Sequence, residues 1–198
     1  MSNRYKLIIL PFFFSGFAAL IYQVCWQRLL FIAFGVDIES VTIIVSVFML
    51  GLGIGALSGG QLADKFPEKI IWMFALAELC IGMFGFFSPH LIVGLGKLTV
   101  TATQPFIALA NFLLLLVPTT LMGATLPMLV AFLVRSQGNV GVSIGGLYFI
   151  NTLGAALGAT TVGFFWFYYF GLNATIYGAA VINLMVSASV LMLFRRQL

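Results

Sequence analysis

The chemistry legible in this sequence starts from one carboxylate. Glu78 lies eight residues into the apolar run 70–88, so a helix rising about 1.5 Å per residue carries it about 12 Å deep, near the middle of a bilayer core about 30 Å thick. A carboxylate at that depth is costly unless it is protonated, paired or facing water, and acids placed there mark ion, proton or substrate sites. The alternative is a protonated glutamic acid hydrogen-bonded to a neighbouring helix as structural glue. Tyr22, Gln23, Trp26 and Gln27 recur at helical spacing and form a second candidate, an aromatic and amide stripe. Such rings hold organic cations at about 0.5–2 kcal/mol each. The same stripe also reads as an interfacial aromatic belt, with Arg28 reaching for the headgroups. Tyr148, Asn151 and Thr152 share a helical face with Ala155 and Ala159; Asn151 joins the candidate binding residues, and inter-helix hydrogen bonding is the other role open to it.

Other reactive types stand alone. His90 follows Pro89 and reads as a solvated cap, with no partners that would make a metal site. Cys25 and Cys80 sit in apolar runs without metal or redox spacing and read as small buried hydrophobes. The glycines of Gly51-Leu-Gly-Ile-Gly55 imitate a nucleotide-binding loop, but they fall mid-run in an apolar helix, where no strand precedes them. Gly51, Gly55 and Gly59 form a small-residue ladder, as do Gly154 and Gly158, and such ladders let helix backbones approach closely in lipid. Asn111 and Asn183 read as packing groups, and Pro118 and Pro127 as bends or hinges. No paired carboxylates, His/Cys cluster or activated nucleophile occurs at workable spacing, so the chain is expected to be no enzyme and to need no metal or cofactor.

The elements that hold these residues are set by composition. Of 198 residues, 62% are hydrophobic and 7% charged, and the mean hydropathy is +1.16. Soluble domains carry about 25% charged residues. A soluble enzyme and a disordered chain are therefore excluded, and the formal charge of +4 is spread too thinly for nucleic-acid binding. Six runs are long enough to span: 7–30, 41–62, 70–88, 105–134, 142–170 and 173–194. They predict an all-α, polytopic membrane protein forming one domain over 1–198, its principal partner the lipid bilayer. The 89–104 connection is open between a loop and a re-entrant or interfacial stretch. Lys and Arg collect on the cytoplasmic side of membranes. With the N-terminus inside, Arg4, Lys6, Lys65, Lys69, Arg135, Arg195 and Arg196 lie on that side, and only Arg28 and Lys97 on the other. Both termini are thus expected in the cytoplasm.

Two resemblances follow. The segment 60–69 (GQLADKFPEK) resembles the G-x-L-A-D-[RK] loop of the major facilitator superfamily through Gly60, Leu62, Ala63, Asp64, Lys65 and Lys69, with Pro67 and Glu68 where that family commonly has Gly and Arg. The resemblance implies a gate in which Asp64 pairs with basic groups. More widely, 15–29 (SGFAALIYQVCWQRL), 118–127 (PTTLMGATLP) and 146–158 (GLYFINTLGAALG) are similar to the membrane half of bacterial spermidine-synthase-like membrane proteins, the fused major-facilitator/spermidine-synthase family. Gln23 stands where that family often carries Glu. This resemblance implies a six-helix bundle like half of a major facilitator, in a bacterial inner membrane. The family's soluble aminopropyltransferase-like domain becomes, for this chain, an expected separately encoded partner.

Two functions are expected from these features. A homodimer of six-helix halves would restore a central pathway and move a small, polyamine-like organic cation, with Glu78 available for proton coupling. The other is an accessory subunit that recruits an aminopropyltransferase-like enzyme through Lys65, Lys69, Arg135, Arg195 and Arg196.

Overall fold

Hydrocarbon offers no water to a backbone N–H or C=O, so an apolar run that crosses it must bond to itself, and a helix does this. The computed structural model describes residues 3–34, 37–98, 102–137 and 139–194, which are helical almost throughout. The helices are α1 (Asn3–Phe34), α2 (Asp37–Lys65), α3 (Ile70–Leu98), α4 (Gln104–Gln137), α5 (Val140–Thr161), the short α6 (Phe167–Tyr169) and α7 (Gly171–Leu193). A 3₁₀ turn, Pro67–Lys69, leads into α3, and a π turn, Val162–Trp166, joins α5 to α6. Six stretches are long and apolar enough to cross a membrane: Lys6–Ile32, Ile38–Lys65, Pro67–Leu98, Pro105–Arg135, Val140–Tyr169 and Gly171–Leu193. This is a multi-pass, all-helical membrane protein. Arg195 and Arg196 lie outside the described residues.

The third span departs from the sequence expectation. It continues through Pro89 and His90 to Leu98, so the helix takes up much of the expected 89–104 connection and His90 is an exposed mid-helix residue. Proline has no N–H for the carbonyl four residues back, here Gly85. The Ser88 hydroxyl donates to that carbonyl at 2.8 Å and so heals the gap. The fifth span carries its irregularity in the π turn, whereas α4 runs unbroken through Pro118 and Pro127. Between α6 and α7 the chain turns at Gly171, whose φ of +72° is left-handed and favours glycine.

The helices pair across the bundle. α1 packs on α5, α2 on α4 and α3 on α7. In the first pair Gly154 and Gly158 meet the backbone at Phe13 and Phe17; in the second Gly51, Gly55 and Gly59 meet Thr119, Thr120 and Ala124, so both pairs run parallel. A Cβ at Gly154 would fall on the Phe13 carbonyl oxygen and one at Gly55 on the Thr120 carbonyl oxygen. The α3–α7 pair runs antiparallel, with the Ser187 hydroxyl donating to the Ala75 carbonyl at 2.7 Å at one end and Phe86 against Tyr177 at the other.

Exchanging the first three spans for the last three leaves this set of partners unchanged: α1–α5 becomes α4–α2, and α3–α7 becomes itself. The residues follow the same exchange. Pro11-x4-Gly16 on α1 recurs as Pro118-x4-Gly123 on α4; Leu50-Gly51-x3-Gly55-Ala56-x3-Gly60 on α2 recurs as Leu153-Gly154-x3-Gly158-Ala159-x3-Gly163 on the fifth span. On the third pair Ala75-x2-Glu78-Leu79-x2-Gly82 answers Ala180-x2-Asn183-Leu184-x2-Ser187. Because α3 and α7 are equivalents and run antiparallel, the two repeats are inverted, and the approximate two-fold axis relating them passes between these helices. Two buried clusters lie on either side of Glu78, one around Tyr22, Trp26, Phe48 and Ile81, the other around Phe12, Phe74, Leu133 and Phe194.

Candidate functional site

Glu78 sits at that axis and is fully buried. Its carboxylate is held from two helices. The Ser15 hydroxyl on α1 donates to Oε1 at 2.5 Å, and Asn183 Nδ2 on α7 donates to Oε2 at 2.6 Å. Among the described residues no basic side chain stands at ion-pair distance from it; the ion pair there is between Arg135 and Asp64. Two neutral donors satisfy this buried carboxylate without a basic partner, an arrangement chemically able to take up a proton or a cation.

A cavity of about 120 Å³ opens beside this pair, lined by Ser15, Gln23, Phe48, Thr125, Asn151 and Asn183 among others. Glu78 does not line it; Ser15 and Asn183 stand between the carboxylate and the space. The lining includes equivalent residues of both repeats: Ser15 and Met122, Phe48 and Asn151, Leu52 and Ala155. The cavity therefore straddles the axis. Asn183 is buried, and its Oδ1 has no hydrogen-bond partner among the described residues.

The aromatic stripe is divided by the fold. Gln23 lines the cavity with Asn151, while Tyr22 and Trp26 are buried on the α3 side of α1. Their rings stack at 4.9 Å, Trp26 Nε1 donates to Ser88 Oγ at 2.8 Å, and the Tyr22 ring occupies the place a side chain at Gly85 would need. One helix turns Gln23 away from Tyr22 and Trp26 because adjacent positions lie about 100° apart, whereas Tyr22 and Trp26, four residues apart, share a side. Trp26 thus packs inside the bundle and forms no lipid-facing belt. The Tyr22 hydroxyl has no partner among the described residues. On α5, Tyr148 is exposed while Asn151 turns inward, and Cys80, expected to be buried, is exposed.

At one end of the bundle, α2 and α4 finish side by side because they run parallel. Arg135 at the end of α4 lies 3.6 Å from Asp64 and donates to the Ala63 carbonyl at 3.4 Å. Lys65 and Lys69 instead stand over the Phe66 ring, at 5.4 and 5.8 Å. Gly60 lies one turn earlier on α2 and is half-buried. The basic partner of Asp64 therefore comes from another helix, which spacing within the loop did not reveal. As a lone polar residue in an apolar run Asn183 reads as packing, although the repeat of Ala75-x2-Glu78-Leu79 as Ala180-x2-Asn183-Leu184 marks it as the counterpart of Glu78. Among the described residues no three His, Cys, Asp or Glu side chains group to hold a metal.

No family model matches the chain, and no solved structure matches it. A protein of Oceanobacillus iheyensis named polyamine aminopropyltransferase is 28% identical over 183 residues, covering 90% of this chain and 34% of the relative. The chain spans about a third of that relative's length. It is a membrane-spanning helical protein that is distantly similar to a polyamine-related one.

Proposed function

We propose that the chain is a transporter-like protein of the bacterial inner membrane, a single six-helix domain over 1–198 that works as a homodimer to move a small, polyamine-like organic cation. The observation that carries this reading is Glu78, held by Ser15 and Asn183 beside a cavity on the axis of an inverted repeat. Inverted three-helix repeats are nested in each six-span half of major facilitators, whose substrate sites lie near the midplane between two such halves. A second copy would supply the other half and a second Glu78. Glu78 and the cavity lining of Gln23 and Asn151 attract the cation, and Glu78 couples its movement to a proton. The Asp64–Arg135 pair serves as the gate that the Gly60–Lys69 loop implies, and both termini lie in the cytoplasm.

The test is uptake of radiolabelled putrescine and spermidine into proteoliposomes. Glu78→Gln keeps the side-chain volume and removes the charge, so it is expected to lower uptake at least ten-fold with the thermal midpoint preserved. Wild-type uptake by that variant overturns the role of Glu78.

A second reading is favoured by the name of the relative: an accessory membrane unit that recruits an aminopropyltransferase-like enzyme through Lys65, Lys69 and Arg135. It expects such an enzyme to co-purify with this chain, and Lys65→Glu with Lys69→Glu to release it.

A further inference from the structure

Glu78 and the cavity do not meet directly; Asn183 separates them and touches both. An ionised carboxylate only accepts hydrogen bonds, so it draws the Nδ2 donor of Asn183 toward itself and leaves the acceptor Oδ1 over. That is the observed arrangement: Nδ2 on Glu78 Oε2 at 2.6 Å and Oδ1 buried without a partner among the described residues. A protonated Glu78 is a donor at one oxygen. Its O–H pairs with Oδ1, which requires the amide to turn by half a revolution and to carry Nδ2 away. Ser15 keeps donating to the other oxygen in both states.

We infer that the Asn183 amide reports the protonation state of Glu78 to the cavity, offering an acceptor when Glu78 is ionised and a donor when it is protonated. This rests on the cation reading of the cavity. A primary ammonium group carries only donors, so it fits the first state, with Asn183, Ser15 and Thr125 all among the residues that line the cavity. The second state opposes it with N–H groups and has lost the negative charge. Proton and ammonium therefore exclude each other, and linkage requires each to displace the other. The cavity, at about 120 Å³, has room for an ammonium head and a short alkyl stem.

The ionisable groups around Glu78 leave this exchange to it. From α1, Tyr22 and Cys25 lie in the buried cluster that includes Ile81, one turn along α3 from Glu78. α7 carries Tyr177, against Phe86 farther along, and α3 carries Cys80, which is exposed. Arg135 of α4 is at the Asp64 end.

The test is calorimetric titration of the protein in nanodiscs with propylammonium chloride, in two buffers of different ionisation enthalpy, which counts protons released. Wild type is expected to bind more tightly as pH rises and to release about one proton per cation near the pH at which Glu78 titrates. Asn183→Leu is expected to bind at least ten-fold more weakly at high pH, with the pH dependence flattened. Where that variant fails to fold, infrared difference spectra of wild-type protein carrying ¹³C-labelled asparagine replace it. They are expected to show a pH-dependent side-chain carbonyl shift that Glu78→Gln lacks. Wild-type binding without proton release, Asn183→Leu binding within two-fold of wild type with the same release, or no Glu78-dependent carbonyl shift each overturns the amide relay and leaves the cation site standing. No propylammonium binding at any pH overturns both.

Discussion

Asn183 hydrogen-bonds to Glu78 at 2.6 Å, and the two residues hold equivalent positions in the inverted repeats. One repeat carries an acid where the other carries an amide, and the axis brings them face to face. Two carboxylates at this point would repel; two amides would leave no charge. The mixed pair gives a satisfied ion without a fixed counter-ion.

This pairing has an energetic signature. Removing one donor leaves a buried carboxylate under-satisfied, which costs about 1–3 kcal/mol. Asn183→Leu is therefore expected to lower the thermal midpoint in detergent, and Glu78→Met added to it to recover most of the loss, because replacing both partners by apolar groups is nearly neutral. Recovery of stability without recovery of uptake separates the fold from the function.

The glycine ladders make a positional prediction. A Cβ at Gly55 or Gly154 would fall on backbone of α4 or α1, whereas Gly53 faces open space. Gly55→Leu and Gly154→Leu are expected to destabilise by more than about 2 kcal/mol, the scale at which overpacking a close helix contact is felt, and Gly53→Leu to be tolerated. Thermal midpoints of the three variants check this; equal effects would contradict the packing.

Arg135 and Asp64 are solvent-exposed, so their pairing contributes under about 1 kcal/mol to stability. Asp64→Arg or Arg135→Asp alone is expected to lower putrescine uptake while leaving the midpoint within a few degrees, and the double reversal to restore it. Uptake unchanged by either single variant removes the gate.

Trp26 lies away from the cavity and bonds Ser88. Trp26→Phe is expected to cost about 1 kcal/mol of stability through the lost hydrogen bond and to leave the KM for putrescine uptake unchanged. A raised KM would place the ring on the substrate path.

Native mass spectrometry in nanodiscs addresses the second half of the pathway. A dimer is expected, and a strict monomer would shift the functional reading to the accessory subunit.

Six apolar runs of membrane-spanning length were legible in the sequence because hydrocarbon imposes one demand on every residue of a span, that its backbone bond to itself. The same economy makes Glu78 legible, since a lone acid in such a run stands out by its cost. Which side chains surround it was not legible. Tyr22, Gln23 and Trp26 are neighbours along α1, yet only Gln23 reaches the cavity, because helix rotation and the packing of α3 decide the rest. Arg135 finds Asp64 from another helix because α2 and α4 run parallel. The repeat marks Asn183 as the counterpart of Glu78 in the sequence, but only the antiparallel packing of α3 and α7 sets its amide on the carboxylate. Composition settles the solvent in which each helix forms; the pairing of helices, a matter of close approach at small residues, settles which polar groups meet.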